Sequence, residues 1–184
     1  SDKLRLVDAN MAGGQGYNPK KLHEMKRLTK ETQYFSIADI ACPDSKFPKT
    51  LPSAEQFSEH MRRLGLRKDD QIVLYDLYGM QTVARAAWML RFYGATDVKI
   101  MNGGLYKWIS EKKATHGGKY VNGEGLPTDG DFDYEAVNED RVIRDISKMH
   151  NIAYYLQNKA TNWQVIDTRP AAHFHRLHTV YYDQ

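Results

Sequence analysis

The sequence has a single cysteine, Cys42, among its 184 residues, so no disulfide can form within the chain. For the same reason a zinc site built from several thiolates is excluded. Long apolar runs are also missing: the least charged stretch, residues 84–90, is broken by Arg85, whereas a membrane span needs about 20 apolar residues. Neither sign of charge dominates, with 26 Lys and Arg against 23 interleaved Asp and Glu. We therefore expect no nucleic-acid partner and no transmembrane segment.

What the chain does have is an alternation of short apolar runs with stretches of helical periodicity. This pattern predicts an α/β fold, a mainly parallel sheet with helices on both faces. Ser53 and Gln56 form a capping box at the start of the clearest helix, and Gly65 ends that helix in a left-handed conformation. The predicted strands are Leu4–Ala9, Tyr34–Ile37, Ile72–Tyr75, Val98–Met101 and Gln164–Arg169, and the other predicted helices are Val83–Tyr93, Leu105–Lys112 and Arg141–Asn158.

The composition changes after residue 115. A polar stretch rich in glycine follows, which is typical of an interdomain linker. Further on, Val165–Thr168 resembles Leu6–Ala9, a weak internal repeat at the spacing of a domain. We therefore predict a first domain over residues 1–115, a linker over 116–133 and the start of a second, incomplete domain over 134–184.

The best candidate for chemistry is the loop of residues 76–82, because ligands of parallel α/β sheets bind beyond the carboxyl ends of the strands. Amides at the following helix N-terminus favour an anion, but the Asp76 carboxylate would repel one. Phosphoryl transfer to an aspartate needs a second Asp where Tyr78 stands. Phosphate-ester chemistry needs Cys and Arg where Asp76 and Thr82 stand, and sulfur transfer needs Cys in place of Asp76. We predict instead that Asp76 caps the loop or pairs with Arg85.

Cys42 is the one possible nucleophilic thiol. It precedes Pro43 in a predicted loop and has Asp39 and Asp44 nearby in the sequence. Negative charges disfavour the reactive thiolate. We therefore interpret Cys42 as an incidental loop thiol.

Neither a cofactor nor a metal is expected. The segment of residues 13–16, Gly-Gly-Gln-Gly, lacks the spacing of a dinucleotide-binding fingerprint. His173, His175 and His178 supply three imidazoles that could bind zinc. Alternation along a strand would, however, put His178 on the face opposite the other two. We interpret these histidines as part of a terminal segment or a contact surface.

Several segments resemble the tandem rhodaneses, the family of thiosulfate and 3-mercaptopyruvate sulfurtransferases. They are Pro43–Phe57, Ile72–Asp76, Ala84–Arg91, Asn102–Trp108 and Gln164–Phe174, the last being similar to the opening strand of the family's second domain. The resemblance implies a rhodanese-like fold whose first domain is catalytically silent, with Asp76 in the position of a cysteine. The sulfur-carrying cysteine of the family lies in the second domain.

Two departures from the family bear on the substrate site. His173 stands where the family has an arginine that helps to bind the anionic substrate, and residues 28–32 replace the family's His-Ile-Pro-Gly-Ala segment. The resemblance therefore implies no catalytic residue and no substrate-binding residue in this chain.

Two functional hypotheses follow. In the first, the chain is a pseudoenzyme, a structural or binding subunit of a larger assembly in which a protein partner covers the apolar residues of the incomplete second domain. In the second, it is the visible part of a complete tandem sulfurtransferase, which moves sulfane sulfur from thiosulfate or 3-mercaptopyruvate to cyanide or a thiol. We expect a mitochondrial location, with the cytoplasm as the alternative, because these are the usual locations of the family.

Overall fold

The computed structural model describes residues 3–11, 18–47, 49–137, 140, 142, 146–158, 164–169 and 171–175. The chain divides into two compact units, residues 1–139 and residues 140–184. The elements of the first unit are β1 (Leu4–Asp8), α1 (Pro19–Met25), β2 (Gln33–Tyr34), α2 (Ile37–Ile40), α3 (Ala54–Leu64), β3 (Gln71–Tyr75), α4 (Val83–Phe92), β4 (Asp97–Ile100) and α5 (Gly104–Ser110). Those of the second are α6 (Ile146–Gln157) and α7 (Ala171–Phe174).

The first unit is built on a parallel sheet with the strand order β2-β1-β3-β4. β1 and β3 pair along their whole length, with Asp8 opposite Tyr75 at the end of the register. In β3, the adjacent residues Leu74 and Tyr75 lie on opposite faces of the sheet and are both fully buried, as expected for a central strand covered on both faces. Because parallel strands end at one edge, the residues that follow β1 and β3 are brought together there.

Helices cover the sheet, and the predicted α/β fold with a mainly parallel sheet and helices on both faces is confirmed. Leu22 of α1 and Leu105 of α5 pack in one cluster with Tyr75. In a second cluster, Phe57 of α3 stacks on Tyr93, which follows α4, with ring centroids 4.2 Å apart. No helix among the described residues has both the length and the apolar character that a bilayer crossing requires.

The clearest predicted helix begins and ends as its sequence indicates. The Ser53 side chain accepts from the Gln56 amide, the Gln56 side chain accepts from the Ser53 amide, and both distances are close to 3 Å. Gly65 follows α3 with a φ of 62°, the left-handed conformation that glycine adopts without strain.

The glycine-rich segment, predicted as a linker, lies within the first unit and packs against its earlier residues. His116 and Arg27 form an antiparallel bridge, with N···O distances of 2.7 and 3.0 Å. The buried guanidinium of Arg27 donates to the carbonyl oxygen of Gly118 at 2.9 Å. Further along, Tyr134 is buried. The segment is thus held along its length, while the predicted domain bounds remain predictions.

Two predicted strands differ from the structure. Residues 164–168 form no strand, and Val165 and Ile166 are 56% and 80% exposed. A strand needs a neighbour to accept and donate its backbone hydrogen bonds, and apolar character alone does not supply one. The predicted strand Tyr34–Ile37 is also shorter, because Ser36 caps α2 by accepting from the Asp39 amide at 3.3 Å.

Candidate functional site

The loop of residues 76–82 joins β3 to α4 at the carboxyl edge of the sheet. Asp76 opens the loop and is 1% exposed. Its carboxylate points back under the loop, where one oxygen accepts from the Gly79 amide. The other oxygen accepts from the amides of Gln81 and Thr82 at 2.8 Å and of Val83 at 3.1 Å. Four backbone donors therefore surround one buried carboxylate.

These contacts explain how α4 starts without a conventional capping side chain. Thr82 occupies the position before the helix, but its hydroxyl donates instead to the carbonyl oxygen of Ala9 at 2.6 Å. Asp76 satisfies the first free amides in its place, and a negative charge there also suits the helix dipole. Of the two structural roles predicted for Asp76, the geometry shows the cap.

The other predicted partner, Arg85, lies elsewhere. Its guanidinium donates to the carbonyl oxygen of Lys49 at 3.2 Å and lies over the ring of Trp88, 5.4 Å from the centroid. Partial burial lowers the pKa of the Arg85 guanidinium. Arg85 is thus held away from Asp76 by two contacts of its own.

Close packing with the turn before α5 fixes the loop from the other side. The amides of Leu105 and Tyr106 donate to the carbonyl oxygens of Asp76 and Leu77, both at 2.8 Å. Gly104 makes this approach possible, because a Cβ there would clash with the Asp76 carbonyl and lie 2.6 Å from the Gly79 amide. The loop is therefore held by hydrogen bonds on both sides.

A buried polar cluster, formed by Asp8, Asn10 and His23, lies at the end of β1. Asp8 and His23 are completely buried, and His23 Nδ1 lies 3.0 Å from Asp8 Oδ2. The amide and side-chain nitrogen of Asn10 donate to the other oxygen of Asp8 at 3.0 and 2.7 Å. Asn10 Oδ1 in turn accepts from the Leu77 amide at 2.8 Å, which links the cluster to the Asp76 loop.

The surroundings of two tyrosines next to this cluster raise the pKa values of their phenols. Burial, together with the Asp8 carboxylate, raises the pKa of Tyr75 well above its usual value. Burial also raises the pKa of Tyr120 to about 12. The Tyr120 ring meets His23 edge to face, with centroids 4.5 Å apart, and its hydroxyl donates to Gln33 Oε1 at 3.1 Å. Both phenols therefore stay neutral in the folded protein over the physiological pH range.

The pair of Asp8 and His23 was not predicted from the sequence. The one available signal is an acidic residue that directly follows an apolar strand. The helix that carries His23 was not predicted, although Asn18 caps it by accepting from the Lys21 amide at 3.0 Å and Pro19 opens it.

The remaining predicted candidates are not brought to this site by any contact of the described residues. Cys42 is half-buried in the loop after α2, where its amide donates to the Thr50 carbonyl oxygen at 3.2 Å. The backbone of His173 lies in α7 and not in a strand, and His175 is exposed. The side chain of His173, all of His178 and residues 13–16 lie outside the described residues. Within the described part, no group of three His, Cys, Asp or Glu could hold a metal ion.

The geometry limits what the loop can do chemically. Backbone amides that converge at the start of a helix form an anion cradle. Here the carboxylate of Asp76 fills that cradle, so no external anion can enter without displacing a buried side chain. No cysteine stands in the loop. The site is built to hold a carboxylate of its own chain.

The loop of residues 76–82 falls within a segment that matches a known protein family. Residues 41–111 match the model of the rhodanese-like domain. The chain is 30% identical over 173 residues to the 3-mercaptopyruvate sulfurtransferase of Escherichia coli K12, a match that covers 94% of this chain and 57% of that protein. It therefore spans a little over half the length of this curated relative.

Two solved structures are similar to this chain as well. The crystal structure of SseA, a 3-mercaptopyruvate sulfotransferase from Escherichia coli with the rhodanese fold, is similar with a TM-score of 0.75 and 28% identity, covering 94% of this chain and 62% of that one. A sulfur transferase subunit of yeast mitochondrial complex I is similar with a TM-score of 0.51 and 30% identity. That match covers 55% of this chain and 34% of the other.

Proposed function

The chain carries a rhodanese-like domain and resembles the tandem sulfurtransferases, and from this premise we propose that it acts as a structural or binding subunit and not as a sulfur carrier. In such a role the first unit supplies a rigid rhodanese-like scaffold. The scaffold holds a partner protein in a larger assembly.

The occupied cradle of Asp76 is the observation that carries this proposal. A sulfur carrier needs a thiolate whose persulfide is stabilised by nearby donors. In this loop the four amides are already used by the Asp76 carboxylate. The one cysteine of the sequence, Cys42, lies in another loop, after α2. The first unit is therefore expected to be catalytically silent.

Exposed apolar residues support a protein partner. In the second unit Val165 and Ile166 are 56% and 80% exposed on a segment without strand pairing. Adjacent apolar side chains in that state favour a covering surface. The similar yeast structure is a subunit of mitochondrial complex I, which supports an assembly in mitochondria, with the cytoplasm as the alternative.

A complete tandem sulfurtransferase is the second candidate. It is favoured by the 30% identity to 3-mercaptopyruvate sulfurtransferase along 94% of this chain. Under this proposal a further domain supplies a cysteine that takes sulfane sulfur from thiosulfate or 3-mercaptopyruvate and passes it to cyanide or a thiol. The first unit then remains a non-catalytic partner of that domain.

An assay of thiocyanate formation from cyanide with either sulfur donor separates the candidates. The binding-subunit proposal expects no thiocyanate above the level of a Cys42→Ser control, and migration within a larger complex under native conditions. Thiocyanate formation well above that control would overturn it in favour of the tandem enzyme.

A further inference from the structure

Charge is distributed unevenly over the first unit. Residues 20–30 and 107–119 together carry nine Lys and Arg but only two acidic residues, Glu24 and Glu111. The whole chain has a net charge of only +3, so the remainder is acidic on balance. From the way the fold joins these two segments, we infer that they form a docking surface for an acidic segment of a partner protein.

The bridge between Arg27 and His116 brings the two segments together. Gly118 also donates to the Glu24 carbonyl oxygen, at 2.8 Å. We define the basic face as the five lysines within four residues of this bridge, which are Lys26, Lys30, Lys112, Lys113 and Lys119. A chain segment of four residues spans at most about 14 Å, so each lysine lies within that distance of the bridge along the backbone. An acidic segment of ordinary length therefore reaches several of them at once.

Among the described residues, three of these five lysines form no ion pair, whereas Lys30 lies 3.8 Å from Glu124 and Lys113 lies 2.6 Å from Glu111. Some lysines elsewhere on the first unit are paired: Lys3 lies 2.7 Å from Asp69, and Lys68 lies 3.1 Å from Asp131. No such ion pair is formed by Lys26, Lys112 or Lys119 within the described part of the chain. All three are exposed, so their charges remain available to a ligand.

The buried charge of Arg27 adds to the positive electrostatic potential of the basic face. Arg27 is 2% exposed, and its guanidinium donates to carbonyl oxygens, those of Lys30, Gly118 and Lys119, at 2.9 to 3.2 Å. Carbonyl groups satisfy the hydrogen bonds of a guanidinium without neutralising its charge. A permanent positive charge therefore stands under the basic face.

A shallow cavity of about 200 Å³ next to the face offers an anchor. Trp108, Lys107 and Lys113 line it, and the Lys113 ammonium lies over the indole ring, 5.0 Å from the centroid. Glu111 lies 2.6 Å from Lys113 and 3.9 Å from Lys107.

The interleaved acidic residues favour a protein over a lipid surface. Glu24 and Glu111 lie among the lysines, and a uniformly anionic membrane would repel both of them. A protein segment can place its carboxylates opposite the lysines and leave room for the two glutamates. The inference rests on the proposed binding role and identifies the basic face as the surface that binds the partner protein.

The test measures binding of a fluorescein-labelled peptide of alternating Glu and Gly to the full chain by fluorescence anisotropy. The test variant combines Lys26→Glu, Lys112→Glu and Lys119→Glu. The control variant combines Lys3→Glu, Lys46→Glu and Lys49→Glu, which makes the same change of net charge at exposed lysines of the first unit outside the face. Each set contains one lysine with a positive φ, Lys112 or Lys49, so backbone strain is matched as well.

We expect the wild-type chain to bind the peptide, with affinity that weakens as salt rises from about 50 to about 200 mM. The test variant should lose at least about tenfold in affinity, and the control variant should stay within about twofold of the wild type. Thermal melting checks that both variants fold. Equal losses in both variants would overturn the inference, as would binding to phosphatidylserine vesicles without binding to the peptide. The thiocyanate assay involves none of these lysines, so the proposed function can fail separately.

Discussion

His23 Nδ1 lies 3.0 Å from Asp8 Oδ2, and neither side chain is reached by solvent. The pair ties α1 to the end of β1, and through Asn10 it reaches the amide of Leu77 in the Asp76 loop. One buried carboxylate thus orients a histidine on one side and an amide on the other. This arrangement makes Asp8 a positioning residue for the carboxyl edge of the sheet.

Replacing Asp8 tests this role. Asp8→Ala leaves His23 Nδ1 and the donors of Asn10 without their acceptor, and buried groups in that state cost about 1–3 kcal/mol each. We expect the free energy of unfolding, measured with urea, to fall by about 3 kcal/mol. Asp69→Ala, which removes only the exposed ion pair with Lys3, is the control and should cost far less. Similar losses in the two variants would contradict the positioning role.

The cradle around Asp76 makes a prediction about thiol chemistry. In the double variant Asp76→Cys, Cys42→Ser, the amides of residues 79–83 face a sulfur atom where they now face a carboxylate. Donors that favour the thiolate lower a thiol pKa from about 8.5. Because the side chain at position 76 is only 1% exposed, the thiolate is followed by its ultraviolet absorbance and not by alkylation. We expect the thiolate of the double variant to persist below pH 7. A thiol pKa at or above about 8.5 would show that the loop does not act as an anion cradle.

The raised pKa of Tyr120 predicts how the free energy of unfolding changes in alkaline solution. Its pKa is raised by burial from 10.0 to about 12, so between these values the unfolded chain loses the phenolic proton and the folded protein keeps it. The stability that this group contributes is fully present below pH 10 and is lost as pH rises to 12. Tyr120→Phe should reduce the slope of unfolding free energy against pH in that window by up to about 1.4 kcal/mol per pH unit. Tyr106→Phe, at a 64% exposed position, should leave the slope unchanged.

Local signals in the sequence predicted much of the fold. The capping box of Ser53 and Gln56 and the terminal Gly65 fix α3, because each acts through its immediate neighbours. The uninterrupted apolar run Ile72–Tyr75 likewise predicts β3 from its own residues. Because Asp76 directly follows this strand, it was predicted to lie at the carboxyl edge of the sheet. Capping of the loop was one of the two roles predicted for Asp76.

Features that depend on distant partners could not be predicted in this way. The pair of Asp8 and His23 and the bridge of Arg27 and His116 join residues whose contact depends on the whole fold. The glycine-rich segment has the composition of a linker, yet its carbonyl oxygens satisfy the buried Arg27 guanidinium. The error at residues 164–168 has the same origin, because strand formation needs a neighbouring strand.

Gly104 provides the sharpest test of the packing between the Asp76 loop and α5. Its φ is 60°, and an added Cβ would clash with the Asp76 carbonyl oxygen and lie 2.6 Å from the Gly79 nitrogen, so backbone atoms would have to move. Gly125 is the matched control: its φ is 74°, but the nearest atom to an added Cβ is Glu31 Cγ at 4.0 Å. Both substitutions to Ala cost about 1 kcal/mol in backbone strain.

Only Gly104→Ala adds the steric clash. We therefore expect it to lower the free energy of unfolding by about 2 kcal/mol more than Gly125→Ala does, measured with urea under the same conditions. In the Asp76→Cys, Cys42→Ser background, Gly104→Ala should also raise the pKa of the thiol, because displacement of the loop disperses the four amides. Equal stabilities of the two alanine variants, or an unchanged thiol pKa, would mean that the loop tolerates movement and that the cradle is not held in place by α5.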